Sequence, residues 1–273
     1  MSRSLTASTA PYRAVLASRI RSQRSHRVSF RVDALSSLLV GVVELAEVAV
    51  LYLQVEGIGG LDLRAVLLVF AIADLSFSLA DMAFGHCDNL PEYLRAGTLD
   101  VFYLRPQPLL LQLVTSDIQL RRLARAAVSL AVLVVAVGLN DLSWDPHTVG
   151  LLALALVSGP VTFAAMFVWA AGAQFFLLDG AETTNAFVYG GRYAATQPAS
   201  VWGRPLLVVF GFAFPMAFTA YLPVVTLLGL DGASRIGLPD WVGWLAPVAA
   251  LWAWAFAAVS WRLGTRHYQG GGG

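Results

Sequence analysis

The chain has 273 residues, 58% of them hydrophobic and only 13% charged, with a formal net charge of +1. That balance is far from an ordinary soluble domain, and apolar runs of roughly 20 residues, enough to cross a hydrocarbon core, recur along the chain. A single cysteine, Cys87, excludes an internal disulfide and a cysteine-built metal site, and all 18 basic residues are arginine. Without lysine there can be no nucleotide-binding P-loop and no Schiff base through a side chain, so any ATP-driven work needs another polypeptide.

The first thirty residues hold arginines but no apolar h-region, so no cleaved signal peptide is expected. Residues 11–31 carry Arg13, Arg19, Arg21, Arg24, Arg27 and Arg31. On a helical wheel Tyr12, Val15, Leu16 and Ile20 share a face, which predicts an interfacial helix on an anionic leaflet within a cytosolic segment 1–33. Spans follow over about 34–56 and 63–85, joined by a turn at Gly57, Gly59 and Gly60. A cytosolic segment, 86–122, precedes a third span over 123–139. The turn-forming Asp145-Pro146 pair lies in an outer loop before a fourth span over 149–178. The fifth crossing falls within 181–228 and has two readings. Either the apolar stretch 205–228 spans, or 181–201 is a polar fifth helix and 205–228 dips back from outside. Pro205, Pro215 and Pro223 weaken a straight helix in the apolar stretch. The last span covers 242–263, with Trp241, Trp244 and Trp261 at belt positions, and 264–273 is a cytosolic tail. The fold class is therefore all-α membrane protein with six transmembrane helices. All arginines but Arg64 and Arg235 fall on one side of this topology, which places both termini in the cytosol.

Four acids sit inside spans. Glu44 and Glu47 are three residues apart on one helical face, and Asp74 and Asp81 share a face of the second span. Each costs about 3 kcal/mol at a helix centre, so all four should face protein or water. They are read as an acidic lining for a cationic or amphipathic substrate, as helix contacts, or as acids buried neutral or paired with Ser76, Ser78 or an arginine. The neighbours His86, Cys87 and Asp88 have no second cluster to complete a metal site, and no nucleophile elbow is present. No catalytic or metal-binding residue is assigned.

The segment DNLPEYLRAGTLDVFYLRP, residues 88–106, has the grammar of two short helices. Pro91 suits a first turn with Asp88 or Asn89 capping it, and Gly97 suits a left-handed stop. Thr98 can cap a second helix that ends before Pro106. The result is an elbow exposing Glu92, Arg95, Asp100 and Arg105, with Tyr93, Phe102 and Tyr103 as anchors.

Four stretches in order, PEYLRAGTLDVFYLRPQPLLLQL (91–113), NAFVYGGRYAATQPASVW (185–202), FPMAFTAYLPVVTLLG (214–229) and WRLGTRHYQ (261–269), resemble the six-span permeases of ATP-binding cassette exporters of the ABC-2 type. Gln197-Pro198 departs from the pattern, where an aromatic would precede the proline. The resemblance implies a half-transporter in a bacterial plasma membrane, paired with an identical or sister permease. It implies a separate cytosolic ATPase dimer that carries the ATP and Mg. Glu92, Tyr93, Arg95, Asp100, Phe102, Tyr103 and Arg105 would couple to that ATPase. A re-entrant pair of short helices would precede the last span. Tyr189, Arg192, Tyr193, Phe214 and Tyr221 would join Glu44, Glu47, Asp74 and Asp81 along the translocation path or in helix contacts. The cargo would be hydrophobic, amphipathic or lipid-linked, and no nucleic-acid partner is expected. The competing reading is an ion- or proton-coupled transporter using the intramembrane acids, against which stands the lack of inverted repeats.

Overall fold

Apolar runs bounded by glycine and proline fold here into helices alone. The computed structural model describes residues 27–116, 122–177 and 181–270; apart from its last few residues, the expected interfacial helix lies outside them. Among the described residues there is no strand, only an isolated bridge between Ile58 and Leu61.

Helix α1, Arg27–Leu53, begins before the expected edge at residue 34 and ends before the glycine turn. In that turn Gly59 and Gly60 take φ of +63° and +87°, which side-chain-bearing residues rarely adopt. Asp62 then caps α2, Leu63–Phe84, by accepting from the Ala65 amide at 2.9 Å. A 3-10 turn, Gly85–Asn89, leads into the elbow helices α3, Leu90–Arg95, and α4, Asp100–Tyr103, and then α5, Leu109–Ser116. Helix α6 is Leu123–Leu139. Asp145 caps α7, Pro146–Gln174, by accepting from the Thr148 amide at 2.7 Å. That bond holds the Asp145 carboxyl below its usual range.

Helix α8, Ala181–Ala195, is the polar one, and α9, Arg204–Leu206, runs straight into a π-helical stretch, Leu207–Ala213. The chain then bends by 66° before Met216–Leu227, whose last part is α10, Tyr221–Leu227. The prolines explain the break. Pro205 sits in a first turn, where its missing N–H costs nothing, and Pro215 stands at the bend between Phe214 and Met216. A 3-10 stretch, Asp240–Leu245, precedes α11, Ala246–His267.

Helix α2 is the centre of the bundle, buried along nearly its whole length against α6, α7 and α8. Helix α1 lies at the edge, chiefly against α6, and α11 packs along α7. The last two cross at small residues. An added Cβ at Gly172 would stand 2.5 Å from the Ser260 carbonyl carbon and the Trp261 nitrogen, so the backbones meet there directly.

Among the described residues, four helices are long and apolar enough to cross a membrane: Leu35–Leu53, Leu63–Arg95, Pro146–Gln174 and Asp240–His267. The bent pair Arg204–Ala213 and Met216–Leu227 would make a fifth if counted as one span, and Leu123–Leu139 is a shorter apolar helix.

Candidate functional site

Four helices converge on one cluster of charge. Glu44 comes from α1, Asp74 from α2, Arg125 from α6 and Arg192 from α8. Arg192 bridges both acids, with Nε donating to Asp74 Oδ1 at 3.0 Å and Nη1 to Glu44 Oε1 at 3.0 Å. Arg125 Nη2 donates to Glu44 Oε1 at 2.7 Å, and its Nε lies 3.5 Å from Asp74 Oδ1. The hydroxyl of Ser129 donates to Asp74 Oδ2 at 2.6 Å, so both oxygens of this buried carboxylate are satisfied. The Phe77 ring lies under both guanidiniums, 5.0 Å from Arg192 Cζ and 5.8 Å from Arg125 Cζ. Two acids against two arginines leave the cluster formally neutral, which is what low-dielectric surroundings demand.

The acids thus pair with arginines and Ser129 rather than with Ser76 or Ser78. Two of the arginines counted in orienting the chain do not bear on its sidedness. Arg125 and Arg192 lie inside the bundle among carboxylates, so neither reports the sidedness of a loop. Asp81 pairs with Arg122, whose Nη1 also donates to the Asp81 carbonyl at 3.0 Å. Glu47 stands apart from the cluster. It is exposed, and its Oε1 accepts from the Tyr193 hydroxyl at 2.9 Å.

Beside the cluster, Glu44, Glu47, Arg192, Tyr193 and Thr196 line a small cleft of about 70 Å³. Tyr193 and Gln197 also belong to a neighbouring apolar cleft of about 380 Å³ floored by Val201, Trp202, Leu206 and Phe210. Phe214, at the bend, packs in an aromatic group with Trp169, Phe187 and Phe256. Tyr221 is fully buried and donates to the Gly232 carbonyl at 2.9 Å, away from the charge cluster. Tyr189 donates to Asp88 Oδ2 at 2.8 Å and so links α8 to the turn that enters the elbow.

The elbow folds as two short helices, but its caps differ from the expected ones. Gly97 does take a left-handed φ of +64°. Neither Asn89 nor Thr98 caps a helix through its side chain: Asn89 Nδ2 meets His86 Nδ1 at 3.2 Å, and Leu99 occupies the position before α4. Tyr93 and Phe102 turn inward, edge to face with centroids 5.3 Å apart, with His86 Nε2 2.9 Å from the Tyr93 hydroxyl. Gln112 on α5 fastens this inner side by donating to the carbonyls of Phe102 and Gln107. Glu92, Arg95, Asp100, Tyr103 and Arg105 are exposed, and so is Leu104, at 85% the barest large apolar side chain among the described residues. Leu104 escapes a search for charges and aromatics; its signal is an apolar residue between polar neighbours just before a helix-stopping proline.

Among the described residues no cluster of His, Cys, Asp and Glu could hold a metal ion. A family model described as an ABC-2 family transporter protein matches residues 38–272. No curated protein and no solved structure matches the chain. The matched residues include the elbow and every member of the charge cluster, and the chain belongs to the ABC-2 transporter family, a multi-pass membrane transport subunit that is not itself catalytic.

Proposed function

We propose that this chain is the permease subunit of an ATP-driven exporter whose ATPase, with its ATP and Mg, is a separate cytosolic protein that docks on the elbow. The observation that carries this is the elbow itself. Between α2 and α6 it holds Leu104, Glu92, Arg95 and Arg105 out around a packed centre of Tyr93, Phe102, Leu94 and Leu99. An apolar knob ringed by charges of both signs fits a protein partner rather than lipid. The lysine-free sequence supports placing the P-loop elsewhere. Ion or proton coupling is disfavoured, because Glu44 and Asp74 are already neutralised by two arginines and offer no carboxylate to an incoming cation.

The bent pair is read as re-entrant in this proposal. Ser200 Oγ donates to the Gly59 carbonyl at 2.7 Å, and Leu228 lies beside Gly60 and Asn140, so both ends of 200–228 lie near the same glycine turn. The bend at Phe214 packs deep on Trp169. Helix α8 then crosses, Arg204 moves to the outer side, and both chain termini stay in the cytosol of a bacterial plasma membrane. The paired clefts on α8, one charged and one apolar, suit an amphipathic or lipid-linked cargo.

Two experiments test this. Glu92→Ala with Arg95→Ala should cut recovery of the co-expressed ATPase by about tenfold, which is about 1.4 kcal/mol of docking energy, with membrane insertion unchanged. Undiminished recovery would rule the elbow out as the docking site. The exposed Glu47–Tyr193 pair cannot stay against lipid, which points to a second permease on the α1–α8 face. Because Cys87 is buried, a Val43→Cys chain carries one accessible thiol on that face and should cross-link to a second copy in membranes if the pair is identical.

A further inference from the structure

Helix α4 is a single turn with no side-chain cap, far below the roughly 12–15 residues at which a helix holds itself in water. Something must hold it from outside. On the inner side that is Tyr93 and Gln112. On the outer side it is the stretch just after α11. The Tyr268 hydroxyl donates to Asp100 Oδ1 at 2.8 Å, and the Tyr268 ring lies parallel to the Tyr103 ring, centroids 5.6 Å apart and planes within 10°. Two residues on, Gly270 turns with φ of +87° beside the same carboxylate. The tail therefore grips the first and the last residue of α4.

The grip is continuous with the bundle. Tyr268 directly follows α11, and Phe175, just past the end of α7, lies edge-on both to Tyr268 at 6.0 Å and to Trp261 of α11 at 5.8 Å. An aromatic line thus runs from α11 through Phe175 and Tyr268 to Tyr103 on the elbow. Asp100 and Tyr103, read from the sequence as coupling residues, are the two elbow residues the tail engages. Burial, helped by Asp100, raises the Tyr268 phenol to about 12, so it remains a donor across the physiological range.

We infer that residues 268–270 form a clasp by which the last helix positions the second elbow helix, with Tyr268 the positioning residue acting through Asp100 and Tyr103. The elbow is then fastened to α11 and α7 as well as to the α2 and α6 helices that carry it in sequence. Motion delivered to the elbow reaches two pairs of helices at once. The part concerning docking rests on the function proposed above; the clasp itself does not.

The test uses the purified full-length chain in detergent, followed by amide hydrogen exchange, for wild type, Tyr268→Phe and Tyr268→Ala. The reporters are the Leu104 amide, bonded to the Asp100 carbonyl, and the Arg105 amide, bonded to that of Phe102. Tyr268→Ala, which removes the hydrogen bond to Asp100 and the ring contact with Tyr103 together, should speed their exchange by more than tenfold, since the hydrogen bond to a charged group alone is worth about that much. Tyr268→Phe, which keeps the ring, should give a smaller rise, and amides of α2 should not change in either. Unchanged exchange at residues 104 and 105 in Tyr268→Ala overturns the clasp. In a second arm, recovery of the co-expressed ATPase should fall severalfold with Tyr268→Ala. Equal recovery with a loosened elbow overturns the positioning role. If wild type recovers no ATPase while exchange still responds, the proposed docking of a separate ATPase on the elbow fails and the clasp stands.

Discussion

An Arg192→Leu chain is expected to lose about 3–5 kcal/mol of folding stability, the scale for removing one partner of a buried ion pair. Arg192 is nine-tenths buried, and its guanidinium hydrogen-bonds both Glu44 and Asp74. Its loss leaves Asp74, which is fully buried, with Ser129 and only the more distant Arg125 nitrogen at 3.5 Å. Arg125→Leu should cost less, because Arg192 would still bridge both acids. Arg192→Lys should fall between wild type and Arg192→Leu, since an ammonium is a point charge and cannot reproduce the planar fork that meets two carboxylates. Pairing Arg192→Leu with Asp74→Leu should recover part of the loss by removing the stranded charge along with its partner. Thermal melting of the detergent-solubilised protein, read by size-exclusion recovery after heating, checks the order. If Arg192→Leu melts with wild type, the cluster does not hold the four helices together.

That cluster marks where the sequence stops being legible. Apolar runs place α2, α6, α7 and α11 within a few residues, because hydrophobic length is a local property. The turn at Gly59 and Gly60 and the left-handed stop at Gly97 are local as well, and glycine announces both. Pairing between helices is not local: positions 44, 74, 125 and 192 meet only once four helices have packed. Glu44 and Asp74 declare that they need cover at membrane depth, but not which arginines supply it. A usable hint existed in Arg192. If 181–201 is a crossing helix, an arginine within it requires a buried carboxylate, and the first two spans carry Glu44 and Asp74 near their centres. The elbow shows a second limit. Asn89 and Thr98 have the right chemistry for caps, yet His86 engages Asn89 and packing of Leu99 sets the start of α4. Capping residues in a short packed segment answer to their neighbours as much as to their own helix.

The α7–α11 crossing permits a sharper test of how the elbow is anchored, because it can be disturbed far from the elbow. The Cβ of Gly172→Ala would meet backbone atoms of Ser260 and Trp261 at 2.5 Å. Backbone cannot swing aside as a flexible side chain can, so the helices must part. Separation also strains the bond from Ser260 Oγ to the Trp169 carbonyl, 3.0 Å long, and the loss should be about 1–3 kcal/mol. Gly138→Ala is the matched control. Nothing lies within 4 Å of its added Cβ, so the change should be neutral or gain up to about 1 kcal/mol from helix propensity. Parting α11 from α7 also moves Trp261 and Tyr268 away from Phe175, the middle of the aromatic line that reaches Tyr103. Gly172→Ala should therefore speed amide exchange at residues 104 and 105, although it touches neither the tail nor the elbow. Gly138→Ala should not. A Gly172→Ala chain that melts early while its elbow amides exchange at the wild-type rate would mean that Tyr268 holds α4 without drawing on the helices behind it.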